Sequence, residues 1–485
     1  MAKTVLTHNK LAELAKRPSS VVFRCTILEE WMEHPEREHW KSSLGFVLAA
    51  AGSAIGLGNI WRFPTLTGQN GGGSFVLMYV AIVLMVGLPL MYVELSMGRA
   101  AQRGPVGAFG RLAPHPVWKL LGYLFVLTGI VILSYYGVVA GWTLKYFWIA
   151  LSEGFTRGGS GPFFESFTRN GTAQICFFLA FLGLTIGIVF FGIKGGIERM
   201  STVLMPVLFV LLVLLIVYAL TLPTAADGLR FYLVPDVEHV TGKTFVFALG
   251  QAFFSLSLGM GAMLTYGSYL SPDSNLVRSG LIVVICDTLI AIMAGLLIFP
   301  VLGGAPDKSG PGLVFVVLTD LFATLPAGRF VGALFFLLLA IAALTSTISL
   351  MEVAASYLID ERGWSRRRSV LVMGAAVLLL GIPSALSLGA VGGLGSLVKV
   401  GGNTLGFLGL ADFLFGNLAL TAGGFLLILF TVFAWKRKNF ETELYSGSTL
   451  PQAPRKVLFF LLAVVAPLCL ACILGYMLFT GQTLG

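Results

Sequence analysis

Long apolar runs and short polar connections alternate along almost the whole chain. Eleven such runs begin near Leu44, Phe75, Leu120, Ala173, Thr202, Phe245, Leu276, Val331, Val370, Leu405 and Val457. Each run is long enough to cross about 30 Å of hydrocarbon as a helix. The connections between them are too short to bury a core of their own. The pattern therefore predicts an all-α polytopic membrane protein with eleven transmembrane helices.

The composition agrees with a membrane protein and excludes a soluble globule. Of 485 residues, 56% are hydrophobic and 11% are charged, whereas soluble domains carry roughly 25% charged residues. The formal net charge of +9 does not indicate a nucleic-acid partner, because most basic residues fall on alternate connections. This bias marks the inner side of membrane proteins. It predicts a cytoplasmic N-terminal tail at residues 1–36 and a C-terminus outside.

The chain has no residue pattern typical of an enzyme or of a pump driven by ATP. Its histidines lie in tails or connections without ligand spacing, at His8, His34, His39, His115 and His239. The sequence contains no nucleophile motif and no glycine-rich phosphate loop. A channel would repeat pore-lining rings around an axis, and the chain has paired, asymmetric interruptions instead. The residues therefore favour a transporter that is not an enzyme.

Glycine interrupts two of the apolar runs at about mid-depth. The first run contains Gly52, Gly56 and Gly58 followed by Asn59, and the sixth contains the glycine-rich residues 254–261. Glycine costs about 1 kcal/mol relative to alanine in a helix interior. Unwound backbone is tolerated in hydrocarbon only where it lines a cavity or binds a ligand. A single Gly-x-x-Gly is also compatible with a packing notch between helices, but two such breaks with polar neighbours favour a binding site.

The two breaks are five spans apart, at matching positions of two halves of the chain. This arrangement is typical of inverted-repeat transporters, which bind their solute between two discontinuous helices. We therefore expect a first repeat with spans 1–5 at residues 37–222 and a second repeat with spans 6–10 at residues 223–438. Residues 439–485 would form a cytoplasmic loop and span 11.

The residues around the breaks resemble the neurotransmitter:sodium symporter family. The matching stretches are residues 37–40, 52–64, 70–73, 98–99, 135–136, 142–143, 251–269 and 344–346. The resemblance extends from about Arg37 to about Lys438. It implies a leucine-transporter-like 5+5 inverted repeat with discontinuous spans 1 and 6, in the eleven-span form of some bacterial members. It also implies a bacterial inner-membrane protein, which we expect to be a monomer or a weak dimer.

The resemblance implies sodium-coupled import of an amino acid by alternating access. Amine carriers of the family have aspartate at the position of Gly56, so a substrate that brings its own carboxylate is favoured. The implied substrate-binding residues are Ser53, Ala54, Gly56, Gly58, Ile132, Tyr136, Phe254, Ser255, Ser257, Met260, Ser346 and Leu350. This set is mostly apolar and Met260 can repack around unlike shapes, which favours neutral, mainly hydrophobic L-amino acids. A transporter-like amino-acid sensor and a symporter for another small zwitterion stay open as alternatives.

Two sodium sites follow from the same resemblance. Site 1 would use Ala54, Asn59, Ser255 and Asp287 together with the substrate carboxylate. Site 2 would use Gly52, Ile55, Ala342, Thr345 and Ser346. The leucine transporter has asparagine at the position of Asp287, and an ionisable group at mid-membrane indicates function. Our hypothesis is that this carboxylate replaces the chloride ion needed by animal relatives, the alternative being a protonated acid hydrogen-bonded between helices.

The resemblance also implies a gate at each end of the binding site. Arg62 and Asp412 would form the outer gate, above a lid made by Phe254 and Tyr136. The inner gate would pair Arg37 with Asp360 and include Trp40, Ser268 and Tyr269. Two further acids, Glu94 and Glu352, are compatible both with structural roles and with proton transfer, and the sequence does not separate these readings.

Overall fold

The computed structural model describes residues 37–113, 115–236, 238, 240–306, 310–448 and 451–482. The expected cytoplasmic tail, residues 1–36, lies outside the described residues. Most of the described residues are helical, and His39–Gly485 belong to one compact unit.

Nine helices within the described residues are long and apolar enough to cross a membrane. They are Gly73–Ala101, Pro116–Ser152, Gly171–Val189, Ile193–Leu220, Leu276–Leu302, Gly328–Arg362, Arg366–Leu386, Phe407–Leu444 and Gln452–Thr480. A tenth candidate is the pair Ser43–Ala54 and Gly58–Gln69, whose two parts are bent by 51° at a short break. These helices coincide with ten of the eleven predicted runs.

The sixth predicted run forms two helices, Gly242–Ser255 and Ala262–Gly267. Each part is too short to cross a bilayer alone, since a spanning helix needs about 20 residues. Spans 1 and 6 are therefore discontinuous, as the glycine pattern predicts. The total of eleven spans and the internal repeat symmetry are consistent with this element order and stay predictions.

Several spans contain π-helical turns, and short elements fill the connections. The π-helical turns are Gly58–Arg62, Val83–Gly87, Ile193–Glu198, Leu313–Leu318, Asp412–Ala419, Phe430–Lys436 and Leu461–Val465. The short helices are Pro105–Leu112, Pro116–Trp118, Ser160–Arg169, Ala225–Leu233, Thr319–Phe322 and Gly392–Gly395. The strands Val398–Val400 and Asn403–Leu405 pair antiparallel before span 10, whose helix begins at Phe407 rather than near Leu405.

Spans 3 and 8 are the most deeply buried of the continuous helices and pack against each other, and span 8 also packs against span 1. Spans 4, 5 and 11 are the least buried of these helices, as expected for helices that face lipid. The broken span 1 therefore lies inside the bundle. Its first turn is held by Glu198, a buried residue of span 5 whose carboxylate accepts hydrogen bonds from the backbone N–H of Lys41 (2.7 Å) and Ser42 (3.1 Å).

Span 2 approaches the inner part of span 6 so closely that only glycine fits. A Cβ atom added at Gly98 would lie 2.1 Å from the carbonyl oxygen of Leu264 and 2.7 Å from the amide nitrogen of Ser268. Small residues at helix contacts allow such close approach in membranes. The contact fixes Ala262–Gly267 against span 2.

We expect Gly98→Ala to lower the thermal stability of the purified protein, since overpacking typically costs about 1–3 kcal/mol. The matched control is Gly183→Ala in span 4, where an added Cβ meets no atom within 4 Å. Thermal unfolding of both variants in the same detergent, followed by size-exclusion chromatography, measures the difference. Equal melting temperatures for the two variants would contradict the tight contact between spans 2 and 6.

Candidate functional site

The break in span 1 leaves peptide groups that spans 3 and 8 satisfy. The helix ends at Ala54, and Ile55 has extended backbone geometry. The amide of Leu57 donates to the hydroxyl of Tyr136 at 3.0 Å, and the amide of Gly56 donates to Oδ1 of Asn59 at 3.1 Å. A Cβ at Gly56 would lie 2.5 Å from Ser346 Oγ. The site therefore has no room for a side chain at position 56.

The break in span 6 uses positive φ angles, which favour glycine. Ser257 has φ 53°, Gly259 has φ 81° and Gly261 has φ 77°. Ser257 Oγ donates to the carbonyl of Ser53 at 2.9 Å, so the two breaks bond directly to each other. The polar positions that flank the glycines in the sequence thus lie where the two unwound segments meet.

A buried acid of span 2 holds the second break in place. Glu94 accepts hydrogen bonds from the backbone N–H of Gly259 (2.7 Å) and Leu264 (3.1 Å). The side chain is fully buried. This geometry gives Glu94 a structural role at the site, which sequence reasoning left open. Its only signal in the sequence was a lone acid within an apolar span.

Three residues of predicted sodium site 1 come together in a buried polar cluster. Asn59 Nδ2 donates to Asp287 Oδ1 at 2.8 Å and to Ser255 Oγ at 3.0 Å, and Ser255 Oγ donates to Asp287 Oδ2 at 2.9 Å. Tyr79 adds a hydroxyl 3.1 Å from Ser255 Oγ. Ala54, the fourth predicted residue, lines the adjacent cavity. The carboxylate and hydroxyl oxygens of this cluster are hard ligands that suit a sodium ion, whereas Oδ1 of Asn59 accepts from the Gly56 amide.

Predicted sodium site 2 is a set of oxygens between span 1 and span 8. Thr345 Oγ1 lies 3.0 Å from the Ala342 carbonyl and 3.4 Å from the Ile55 carbonyl. Ser346 Oγ lies 3.5 Å from the same Ile55 carbonyl. Gly52 packs against Thr345, since a Cβ there would lie 3.2 Å from Thr345 Cβ. The five predicted residues thus converge, and their carbonyl and hydroxyl oxygens fit a monovalent hard cation.

A cavity lies between the two breaks and spans 3 and 8. Its lining residues are Ala54, Gly56, Gly58, Ile132, Tyr136, Phe254, Ser255, Ser257, Met260, Ser346 and Leu350. Of the predicted substrate-binding residues, Ser53 alone is not among these lining residues, and its hydroxyl donates to Ser349 Oγ at 2.7 Å. Backbone and hydroxyl groups form one part of the cavity, and aliphatic and aromatic side chains form the rest.

The residues predicted as the outer gate do not make a direct ion pair within the described part of the chain. The Arg62 guanidinium lies 4.4 Å from the centre of the Phe254 ring. Asp412 instead accepts hydrogen bonds from the Tyr135 hydroxyl (2.9 Å) and from Asn417 Nδ2 (3.2 Å). Arg62 therefore covers the predicted lid residue Phe254, and its pairing with Asp412 during transport stays a prediction.

Direct hydrogen bonds connect the elements at the inner end. The backbone N–H of Trp40 donates to the Tyr269 carbonyl at 3.2 Å, and the Trp40 indole N–H donates to the Tyr266 carbonyl at 3.0 Å. Ser268 Oγ donates to the nearby Thr265 carbonyl at 2.6 Å. These bonds fix the chain before span 1 against the inner part of span 6.

Glu352, the second acid whose role the sequence left open, also has partners. Glu352 accepts a hydrogen bond from the Tyr269 hydroxyl at 2.6 Å and pairs with Arg366 at 2.7 Å. Sequence reasoning missed Arg366 as a site residue, although it begins a run of three arginines, residues 366–368, at the start of span 9. Asp360 accepts from the Gly104 backbone N–H at 2.6 Å, and its pairing with Arg37 stays a prediction.

Known proteins share this architecture. The model of the sodium:neurotransmitter symporter family matches residues 37–160 and 162–480. The crystal structure of MhsT in complex with L-phenylalanine is 42% identical, has a TM-score of 0.82, and covers 90% of this chain and 99% of its own chain.

Relatives from bacteria and animals extend this similarity. YhdH of Bacillus subtilis, an uncharacterised sodium-dependent transporter, is 36% identical over 444 residues, which are 90% of this chain and 97% of that protein. The sodium-dependent serotonin transporter of Drosophila melanogaster is 32% identical over 407 residues, covering 72% of this chain and 64% of its own length. The predicted family and fold class are therefore confirmed. The chain belongs to the sodium:neurotransmitter symporter family, as a multi-pass, sodium-dependent transporter of a small molecule.

Proposed function

We propose that this transporter imports neutral, mainly hydrophobic L-amino acids together with sodium by alternating access. The cavity between the two helix breaks carries the proposal, because it combines unwound backbone with apolar walls. A neutral amino acid has the matching parts, a zwitterionic end and an apolar side chain. MhsT, a similar protein, has been crystallised with such a molecule, L-phenylalanine.

The zwitterionic end would bind at the unwound backbone. The N-terminal end of the half helix that begins at Gly58 favours an anion, because its free N–H groups and its dipole are positive. The substrate carboxylate would lie there and accept a hydrogen bond from Tyr136. The α-amino group would donate to the carbonyls of Ala54 and Phe254 and to Ser257. With no acid at Gly56, an amine without a carboxylate would leave the positive end unpaired.

The apolar walls would select the side chain. Ile132, Met260 and Leu350 are buried aliphatic residues of the cavity, and Phe254 adds an aromatic face. These groups offer no hydrogen-bond partner, so a charged or strongly polar side chain would lose its hydration without compensation. Branched, aliphatic and aromatic amino acids fit this chemistry.

Sodium would be coupled to the substrate through a shared ligand. In site 1, the substrate carboxylate would join Ala54, Asn59, Ser255 and Asp287 around one ion. Ion and substrate would then strengthen each other's binding by the same coupling free energy. Site 2, formed by Gly52, Ile55, Ala342, Thr345 and Ser346, would hold a second sodium ion between spans 1 and 8 and so stabilise their contact.

Asp287 would make transport independent of chloride. Its carboxylate is fully buried within hydrogen-bond distance of Asn59 and Ser255, and it would supply the negative charge that offsets the sodium ions. Ala291, one turn further along span 7, is a small apolar residue that offers no ligand to an anion. The gating pairs Arg62 with Asp412 and Arg37 with Asp360 would close the two ends alternately.

We propose the topology that the charge distribution predicts. The protein would lie in a bacterial inner membrane, with a cytoplasmic N-terminus and the C-terminus after span 11 outside. Residues 37–222 and 223–438 would form the two inverted repeats. The protein would act as a monomer or a weak dimer, because each chain carries a complete cavity.

The function is tested with purified protein in proteoliposomes and an inward sodium gradient. We expect uptake of labelled L-leucine that stops when potassium replaces sodium outside. Unlabelled hydrophobic amino acids should compete, whereas lysine and glutamate should not. Binding of leucine without any sodium-driven uptake would instead identify a sensor, and competition only by other zwitterions would assign a different substrate.

Replacing Asp287 tests its charge. Wild-type uptake should be unchanged when gluconate replaces chloride. Asp287→Asn should raise the sodium concentration for half-maximal uptake about tenfold or more, because a hydrogen-bonded charged ligand contributes about 1.5–3 kcal/mol. The control is Asp227→Asn, at an exposed aspartate of the short helix Ala225–Leu233. Collapse of wild-type uptake in gluconate would refute the role of Asp287 as the chloride substitute.

Enlarging position 260 tests the cavity wall. Met260→Phe should shift competition toward smaller side chains, with valine and alanine gaining relative to phenylalanine, because the rigid ring reduces the space beside Leu350 and Ile132. Met85→Phe, at a residue of span 2 that is 40% exposed, serves as the control. An unchanged competition profile for Met260→Phe would remove this residue from the substrate site.

A further inference from the structure

A pocket rich in cations lies where span 10 ends and span 11 begins. Its lining residues are Arg437, Lys438, Glu441, Thr442 and Arg455. Residues 436–456 contain five basic side chains against two acids. One of the acids, Glu443, is paired with Arg99 in the interior, so the pocket has a clear excess of positive charge.

The short helix Arg437–Leu444 is held firmly against the bundle on one side. Phe440 and Leu444 are buried, and the Glu443 carboxylate lies 2.5 Å from the guanidinium of Arg99. Arg99 is itself buried and also donates to the carbonyls of Ser274 and Glu443. The opposite side of this helix is therefore presented in a fixed orientation.

The cations on that side are positioned by their neighbours and remain at the surface. Arg437 donates to Glu441 at 2.8 Å and lies 4.4 Å from the Phe459 ring centre. Arg455 lies 4.3 Å from the Tyr445 ring centre. Lys438 is exposed, and the two acids of the helix Arg437–Leu444 are already paired, Glu441 with Arg437 and Glu443 with Arg99.

Apolar side chains continue from the pocket along the two spans. Phe433 is 71% exposed, Val457 58% and Phe460 56%. On transmembrane helices such surfaces contact acyl chains. A ligand that matches both features carries a negative headgroup and hydrocarbon tails. A free anion would satisfy the cations only, and an acidic protein would not explain the apolar surface beside them.

We propose that this pocket binds the headgroup of an anionic phospholipid. The phosphate would accept hydrogen bonds from Lys438 and Arg455, which are strong because both partners are charged. The acyl chains would lie along the exposed apolar residues of spans 10 and 11. The ion pair between Glu443 and Arg99 connects the helix Arg437–Leu444 to span 2. A lipid bound to this helix would therefore stabilise the contact between the helix and span 2.

The test measures retention of added lipid by native mass spectrometry of the purified full chain. Wild type should retain phosphatidylglycerol in preference to phosphatidylcholine and gain thermal stability only with the former. The variant with Arg437→Gln, Lys438→Gln and Arg455→Gln, the three basic residues that line the pocket, should bind phosphatidylglycerol about fivefold more weakly for each residue replaced. If this variant is too unstable to purify, Lys438→Gln alone provides the same comparison.

The charge-matched control carries Arg157→Gln, Arg169→Gln and Lys399→Gln, three exposed residues in the connections after spans 3 and 9. It should retain phosphatidylglycerol like wild type. Equal retention by the pocket variant and wild type, or equal retention of the two lipids, would overturn the proposal. Displacement of the lipid by poly-glutamate in detergent would assign the pocket to an acidic polypeptide and overturn it as well.

Discussion

A peptide group inside a bilayer must find its hydrogen-bond partner within the protein, and the centre of this molecule depends on that constraint. Spans 1 and 6 each lose their helical bonds over a few residues in their interior. Their exposed groups are satisfied by Tyr136 from span 3, by Ser346 from span 8 and by Ser257 across the two breaks. The cavity exists because these partners surround the breaks without filling the space between them.

Buried acids provide hydrogen-bond partners for several groups in the interior of the bundle. An uncompensated charge in the interior is costly, and each of these acids has partners in the structure. Glu198 caps the start of span 1, and Glu94 binds the amides of the span 6 break. Glu352 joins Tyr269 to Arg366 at the inner end. Three of the buried acids thus connect separate elements of the bundle, which explains why an apolar chain retains them.

The two ends of the cavity differ in how they are closed. At the end predicted to face the cytoplasm, Trp40 bonds directly to the backbone of span 6. At the outer end, Arg62 stacks on Phe254 while Asp412 is occupied by Tyr135 and Asn417. Charged groups that are held by separate partners can exchange them at low cost, whereas direct backbone bonds must break before the inner end opens. This difference in bonding fits a protein whose two ends open at different times.

The sequence alone determined the class of the molecule and the location of its centre. Apolar length fixes the membrane spans, and glycine with polar neighbours marks the breaks, because both signals are local and arise from the cost of burying or unwinding backbone. The residues Asn59, Ser255 and Asp287, which the family resemblance implies for one sodium site, meet in one cluster. Only the tertiary structure decided the partners of Glu94, Arg366 and Arg62 and paired the Ser53 hydroxyl with Ser349. Those contacts join residues far apart in the chain, and no local pattern encodes which of several possible helices will bring a partner within hydrogen-bond distance.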